Sequence, residues 1–289
     1  MLVQAGDARL YFEVFGQEWV VDGGGLRRNP VLVGLHGGPG FDGTALRHYL
    51  APLADVAQVV VPDQRGHGRS SRGTPETWNL PAWADDMRKL CDALGIDRPI
   101  VLGVSFGGFV AQQYGAMYPE HPAGLILVST SPRFSTLDEL VARFREVGGE
   151  EAADIVRRDW EAPSEETAAE WERVISPLCA RRADPVAEQL TALRIRTMEV
   201  NFHFMRDAEA MDLRAGLRAV RCPTLVLMGE HDPLTTLQLG REIADAIPAG
   251  LARLHVVPDA AHEVFSDNPN EVYGNIRDFI RSLPGPSDS

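Results

Sequence analysis

Residues 99–120 read PIVLGVSFGGFVAQQYGAMYPE, and the reading of this stretch decides the fold. Ile100-Val101-Leu102 is an apolar, β-rich run that stops at Gly103-Val104-Ser105-Phe106-Gly107-Gly108. Beyond it Val110, Ala111, Tyr114 and Met117 recur at helical spacing. A strand, a glycine-flanked turn and a helix make G-x-S-x-G a nucleophile elbow rather than a chance match. The glycines are required because a side chain in so tight a turn would collide with the neighbouring strand or helix. The turn is expected to hold the Ser105 hydroxyl at the carboxyl edge of a sheet, with the Phe106 N–H pointing into the same space. Taken alone, the six residues fit equally well a strand-to-helix turn with a capping serine.

Working outward, residues 30–35, 58–61, 100–104, 125–128, 224–228 and 253–257 are short, nearly continuous apolar runs. Strands buried on both faces read this way, as in parallel sheets covered by helices. Helical patterns lie between them at 42–53, 80–94, 106–118, 237–246 and 270–283. The alternation predicts an α/β fold with a mostly parallel, doubly wound sheet. Ala8–Phe15 alternates and reads as an antiparallel strand. Residues 16–30 read as a loop around Gly23-Gly24-Gly25, with a short strand at Trp19-Val20-Val21.

The rhythm breaks between Pro132 and Val220, where charged amphipathic helical stretches replace strands. They fall at 136–147, 150–160, 165–179 and 186–196, with a further one at 208–217. This predicts a first core segment at 1–131, a helical cap at 132–220 and a second core segment at 221–289. The cap is expected over the carboxyl edge of the sheet, where open α/β sheets bind ligands. Residues 284–289 read as a frayed tail.

The 289 residues are 44% hydrophobic and 24% charged, ordinary globular composition with enough chain for a large core. A net charge of −13 with no basic block makes nucleic acid and anionic membranes poor partners. No signal peptide and no bilayer-length apolar run is visible, so a cytoplasmic protein is expected. Cys91, Cys179 and Cys222 are odd in number and widely spaced, which fits neither a disulfide framework nor a zinc site. No metal or cofactor is expected.

A serine hydroxyl needs a base to take its proton, and the base needs a third group to orient it. The strand at 224–228 runs into Gly229-Glu230-His231-Asp232-Pro233, and the strand at 253–257 into Pro258-Asp259-Ala260-Ala261-His262-Glu263. Ser105, Asp232 and His262 then follow the chain order of a hydrolase triad. Glu230 and Asp259 compete for the acid; Asp232 is preferred because it opens its loop and Pro233 fixes its direction. Among the other histidines, His36 and His67 lie in glycine-rich loops, His121 follows a helix on the far side of the elbow, and His255 is inside a strand. His48 and His203 fall in helical or cap segments, and His231 is too near the acid. Two donors are needed for the oxyanion. One is the Phe106 N–H; the other is assigned to Gly38, in the loop His36-Gly37-Gly38-Pro39-Gly40.

The blocks HGGPG (36–40), DQRGHGRS (63–70) and GVSFGG (103–108) resemble the α/β-hydrolase superfamily, and most closely its proline iminopeptidase-like branch of serine hydrolases. The resemblance covers the two core segments and is weak in the cap. It implies an α/β-hydrolase fold, an acyl-enzyme mechanism, and release of an N-terminal proline or small residue from a short peptide or amide. It also implies a structural role for the Asp-Gln-Arg-Gly block in positioning the HGGPG loop. The cap segment Glu199-Val200-Asn201-Phe202-His203-Phe204 is similar to a family segment whose glutamate would bind the substrate ammonium group, which points to Glu199. Two departures favour instead a carboxylesterase or lactonase acting on a small apolar ester. Phe106 stands where the family has tryptophan, and Pro233 where some members have glutamate. A non-catalytic small-ligand binding protein on the same fold is the remaining alternative.

Overall fold

The computed structural model describes residues 1–284; residues 285–289, which make up most of the expected tail, lie outside the described residues. Its strands are β1 (Leu2–Ala5), β2 (Ala8–Phe15), β3 (Trp19–Asp22), β4 (Gly25–Arg28), β5 (Val31–Leu35), β6 (Gln58–Pro62), β7 (Ile100–Val104), β8 (Gly124–Val128), β9 (Thr224–Gly229) and β10 (Ala252–Val257). Eight of them form one sheet in the order β1-β2-β6-β5-β7-β8-β9-β10. The β1–β2 and β2–β6 pairs are antiparallel; the rest are parallel.

Helices α1 (Thr44–Leu50), α2 (Leu80–Leu94) and α3 (Phe106–Met117) connect the parallel strands up to β8. Helices α4 (Leu137–Glu161), α5 (Glu165–Glu170), α6 (Pro185–Leu193), α7 (Met198–Met205) and α8 (Arg214–Leu217) all lie between β8 and β9, followed by α9 (Leu237–Ala246), α10 (Val264–Asp267) and α11 (Pro269–Ser282). The strand pattern shows why the apolar runs are continuous. Along β8, Leu125 and Leu127 join a core with Val110 and Tyr114 of α3 and Ile243 of α9. Ile126 and Val128 point the other way, into a core with Leu46 of α1 and Ile276 of α11. Both faces of each central strand are therefore apolar, as a sheet covered on both sides requires. Helix α2 begins where the Asn79 side chain accepts the Ala82 N–H, and ends at Gly95, whose φ of +67° is left-handed.

The insertion between β8 and β9 has a core of its own, with Leu140, Phe144, Ile155, Val156 and Ile175 buried together and Leu234 packed against them. Several sequence expectations change here. The two helices expected at 136–147 and 150–160 are present as the halves of α4 on either side of Gly149, whose backbone is not helical (φ +73°, ψ −167°), but the later stretches differ. The 165–179 stretch is α5, then a wide turn over Trp171–Ile175 and a tight one over Ser176–Cys179; Pro177 lacks the N–H a regular helix would use. The 208–217 stretch is only a turn at Ala208–Ala210 and the short α8. The helix expected at 42–53 is α1 followed by a 3-10 turn at Ala51–Asp55, again with a proline, Pro52, at the change. The loop expected at 16–30 is largely a hairpin, β3 pairing β4. Gly23 and Gly24 both have positive φ (58° and 88°), the geometry of a two-residue hairpin turn. Strand β1 is a further element that the sequence does not announce; it is too short and too exposed to show a pattern.

The elbow is held by close backbone approach. A Cβ on Gly103 would lie 2.3 Å from the Gly107 carbonyl oxygen, and one on Gly107 would lie 2.1 Å from that of Leu35 in β5. One on Gly108 would meet the Thr130 hydroxyl at 2.4 Å. Helix α3 thus crosses β5 and β7 at a distance that admits no side chain. Gly107→Ala is expected to destabilise the protein by about 1–3 kcal/mol, measured as a lower urea midpoint at unchanged m-value; a midpoint equal to the parent would show that the crossing can widen freely.

Candidate active site

Ser105 is the joint between β7 and α3, with φ 52° and ψ −116°, a conformation rarely occupied by a non-glycine residue. Its backbone is pinned on both sides: its N–H donates to Val128 O (3.0 Å), and its carbonyl accepts from the Gly108 N–H (2.9 Å) and the Thr130 hydroxyl (2.8 Å). The side chain is half-buried. Its Oγ makes no hydrogen bond among the described residues. Phe106 is the first residue of α3, so its N–H has no acceptor within the helix.

Asp232 and His262 are brought together. Asp232 follows β9 and His262 follows β10, strands paired in parallel with Gly229 opposite Val257. The Asp232 carboxylate, with no exposed side-chain surface, accepts from the Leu234 N–H (2.8 Å), the Thr235 N–H (2.9 Å), the Thr235 hydroxyl (2.6 Å) and His262 Nδ1 (2.8 Å). Since the carboxylate can only accept, Nδ1 carries the proton and Nε2 keeps its lone pair. The His262 backbone is fixed as well: its N–H donates to Cys179 O (2.9 Å), and its carbonyl accepts from the Ser129 hydroxyl (2.7 Å). Burial alone would lower the affinity of the imidazole for a proton, but the Asp232 charge outweighs it and holds His262 above its ordinary value.

The rival residues are elsewhere. Asp259 is exposed and paired with Arg181 and Arg182, and Glu230 accepts the Asp259 N–H at the surface. His255 pairs with Glu271, and His121 bonds Tyr114. His36 and His67 are buried braces: His36 Nε2 accepts the Gln64 N–H, and His67 Nδ1 donates to Arg65 O.

The glycine-rich loop after β5 lies over the serine. A Cβ on Gly37 would sit 3.5 Å from that of Ser105, and Gly38 has φ +122°. The Asp-Gln-Arg-Gly block braces this loop. Asp63 accepts from the Gly43 and Arg69 N–H groups and from the Arg47 guanidinium, while Gln64 Nε2 donates to His36 O. Arg65 is clamped between the carboxylates of Asp86 and Asp7. The insertion holds the far end of the loop through Thr197 N–H to Gly40 O (2.8 Å) and Asn201 Nδ2 to Pro39 O (3.2 Å).

Beside Ser105 opens a cavity of about 210 Å³ whose walls include Phe109, Phe134, Val156, Trp160 and Trp171. Glu199 does not line it. Met198, Asn201 and Met205 of α7 do, at spacings that share one helix face; Glu199, one residue on from Met198, is turned about 100° away and is exposed to solvent. The carboxylates that reach the cavity are Asp159 and Glu172. Glu172 is spent on Arg194 and Arg196. Asp159 is bonded only to the Thr167 hydroxyl (2.6 Å), and burial raises its pKa.

Sequence reading also misses Thr235, Thr130 and Arg143. Arg143, on α4, donates from Nε to Pro233 O (2.8 Å) and from its terminal nitrogen to the Ser135 hydroxyl (2.7 Å), so a half-buried cation from the insertion stands beside the Asp232 loop. Thr130 and Arg143 belong to no local pattern, and only the fold brings them to the site, whereas Thr235 follows Asp232 by three residues and closes a local turn on its carboxylate. Among the described residues no group of three or more His, Cys, Asp or Glu could hold a metal ion, and no helix is long and apolar enough to cross a membrane.

Comparison with known proteins agrees with this architecture. The chain is 28% identical over 293 residues to a proline iminopeptidase of Pestalotiopsis fici, covering 96% of this chain and 98% of that one. It is 29% identical over 269 residues to a pimeloyl-[acyl-carrier protein] methyl ester esterase of Chromobacterium violaceum, covering 89% and 94%. The solved structure of a proline iminopeptidase-related protein from Thermus thermophilus superimposes with a TM-score of 0.75 at 26% identity, covering 98% and 97%. The sequence model of the alpha/beta hydrolase fold matches residues 30–269, and the chain belongs to that family.

Proposed function

We propose that the chain is a serine hydrolase acting through an acyl-enzyme, with Ser105 as nucleophile, His262 as base and Asp232 as orienting acid. The observation that carries the reading is the Asp232–His262 hydrogen bond at the strand ends next to an elbow serine. In this reading His262 Nε2 takes the Ser105 proton as Oγ attacks the substrate carbonyl carbon. The negative charge that forms on the carbonyl oxygen is received by the N–H groups of Gly38 and Phe106, each worth about 3 kcal/mol. Asp232 stabilises the imidazolium and keeps its tautomer. The proton passes from Nε2 to the leaving group, and water, activated by the same base, hydrolyses the acyl-enzyme.

The relatives include proline iminopeptidases and an ester hydrolase. The composition of the cavity favours an ester with an apolar acyl group, since its walls are mainly aromatic and aliphatic and Glu199 lies outside it. Asp159 favours a second reading, an aminopeptidase, because it is a cavity carboxylate with no cationic partner among the described residues. The 132–220 insertion acts in either case as a cap whose wall selects the acyl group.

Ser105→Ala is expected to abolish labelling by a fluorophosphonate that the parent protein takes up; a folded parent that takes up none would refute the mechanism. With short-chain aryl esters, kcat/KM is expected to exceed that for prolyl arylamide by at least about tenfold, and the reverse order would establish the aminopeptidase. Asp232→Asn should lower kcat by about 10⁴-fold in a protein that still folds. Because His262 is held above its ordinary value, the rising limb of kcat/KM against pH should have its midpoint above about 6.5; a midpoint at or below that value would contradict the assignment. The same shift stabilises the fold below the unfolded-chain value, and this contribution is lost as pH rises through the folded one.

A further inference from the structure

Ser105 stands between two chambers. Besides the aromatic cavity, a second one of about 260 Å³ opens beside Ser105, and Gly38, Phe41, Ser105, Trp171, Glu172 and Leu234 belong to both. His262 lines only the second chamber, together with Cys179, Glu263 and Arg194. Phe134, Val156 and Trp160 line only the first. In acyl transfer the protonated base must reach the leaving-group atom within hydrogen-bond distance. The leaving group therefore departs on the His262 side, and the acyl group remains among the aromatic side chains.

The charges in the second chamber are unequal. Arg194 is bonded to Glu172 and stacked 3.6 Å above the Phe41 ring. Asp42 is buried, bonded to Thr44 and 4.0 Å from the Arg47 guanidinium. Glu263, the residue after His262, is accessible to solvent, and its carboxylate has no hydrogen bond or ion pair among the described residues. It lies close enough to His262 and Arg194 to interact electrostatically with both.

Resting on the acyl-enzyme reading, we propose that this chamber is the leaving-group subsite and that Glu263 makes it prefer leaving groups bearing a cation or a hydrogen-bond donor over anionic ones. For an ester, the Ser105 Oγ–carbonyl carbon bond forms as the proton moves to His262. The carbon–alkoxy bond then breaks as that proton moves to the alkoxy oxygen, and the alcohol leaves past Glu263. Water later supplies the hydroxyl of the acid and restores the serine proton. The uncompensated carboxylate stabilises a positive or donating alcohol and repels a negative one.

The test uses butyrate esters of one acyl group and three alcohols: choline, its neutral isostere 3,3-dimethylbutanol, and glycolate, all assayed at pH 8. The ratio of kcat/KM for the choline ester to that for the glycolate ester is expected to fall about tenfold in Glu263→Gln, with the neutral ester between them. In the parent protein the ratio should also shrink as salt rises from low to high ionic strength, a measurement that needs no variant. A ratio unchanged by both would overturn the subsite. An equal fall for all three esters in Glu263→Gln would overturn it too, since Glu263 would then act on His262 alone. No turnover of any ester, with no fluorophosphonate labelling, would remove the acyl-enzyme reading and the subsite together; labelling with an unchanged ratio would remove the subsite only.

Discussion

The molecule is organised by a backbone crossing. Helix α3 passes β5 and β7 so closely that a Cβ would meet a carbonyl oxygen at 2.3 Å on Gly103 and at 2.1 Å on Gly107. Ser105 takes its unusual backbone angles because the chain must turn there from strand to helix in a single residue. The conformation is sustained by Val128, Gly108 and Thr130, which bond its N–H and carbonyl. The direction of the serine side chain is set by hydrogen bonds with β8, the residues just after it and the first turn of α3, and β8 is itself set by apolar packing on both sheet faces.

Asp232 and His262, the proposed acid and base, depend on the same sheet by another route. Asp232 and His262 come from adjacent parallel strands, so their separation follows from β9–β10 register. A buried carboxylate is costly unless its lone pairs are met. Here two backbone N–H groups, a hydroxyl and an imidazole meet them. The loop Asp232–Thr235 is thus a small anion receptor that the carboxylate fills itself, which fixes its orientation before any substrate arrives.

The central strands, α2, α3 and α9 are legible in the sequence because their signals are local: apolar runs for strands buried on both faces, amphipathic spacing for helices covered on one, and Asn79 and Gly95 at the ends of α2. Ser105, Asp232 and His262 are legible because each sits where a strand pattern ends. The hairpin β3–β4 is not, although Asp22-Gly23-Gly24 carries its turn, because its strands are mostly exposed and show no alternation. Inside the insertion, prolines and glycines cut the helices at places that periodicity alone does not locate. Glu199 is singled out by likeness of a short segment; one residue of helical rotation separates it from Met198, which does reach the cavity. Thr130 and Arg143 carry no sequence pattern, since their contacts join segments far apart in the chain.

Gly149 divides α4 into two halves with different attachments. The first half carries Arg143, bonded to the loop of the acid. The second carries Val156, Asp159 and Trp160, which line the cavity together with Leu140 of the first half. The wall is thus built across the break, so any change in the angle between the two halves would move Leu140 relative to Trp160 and alter the width of the cavity.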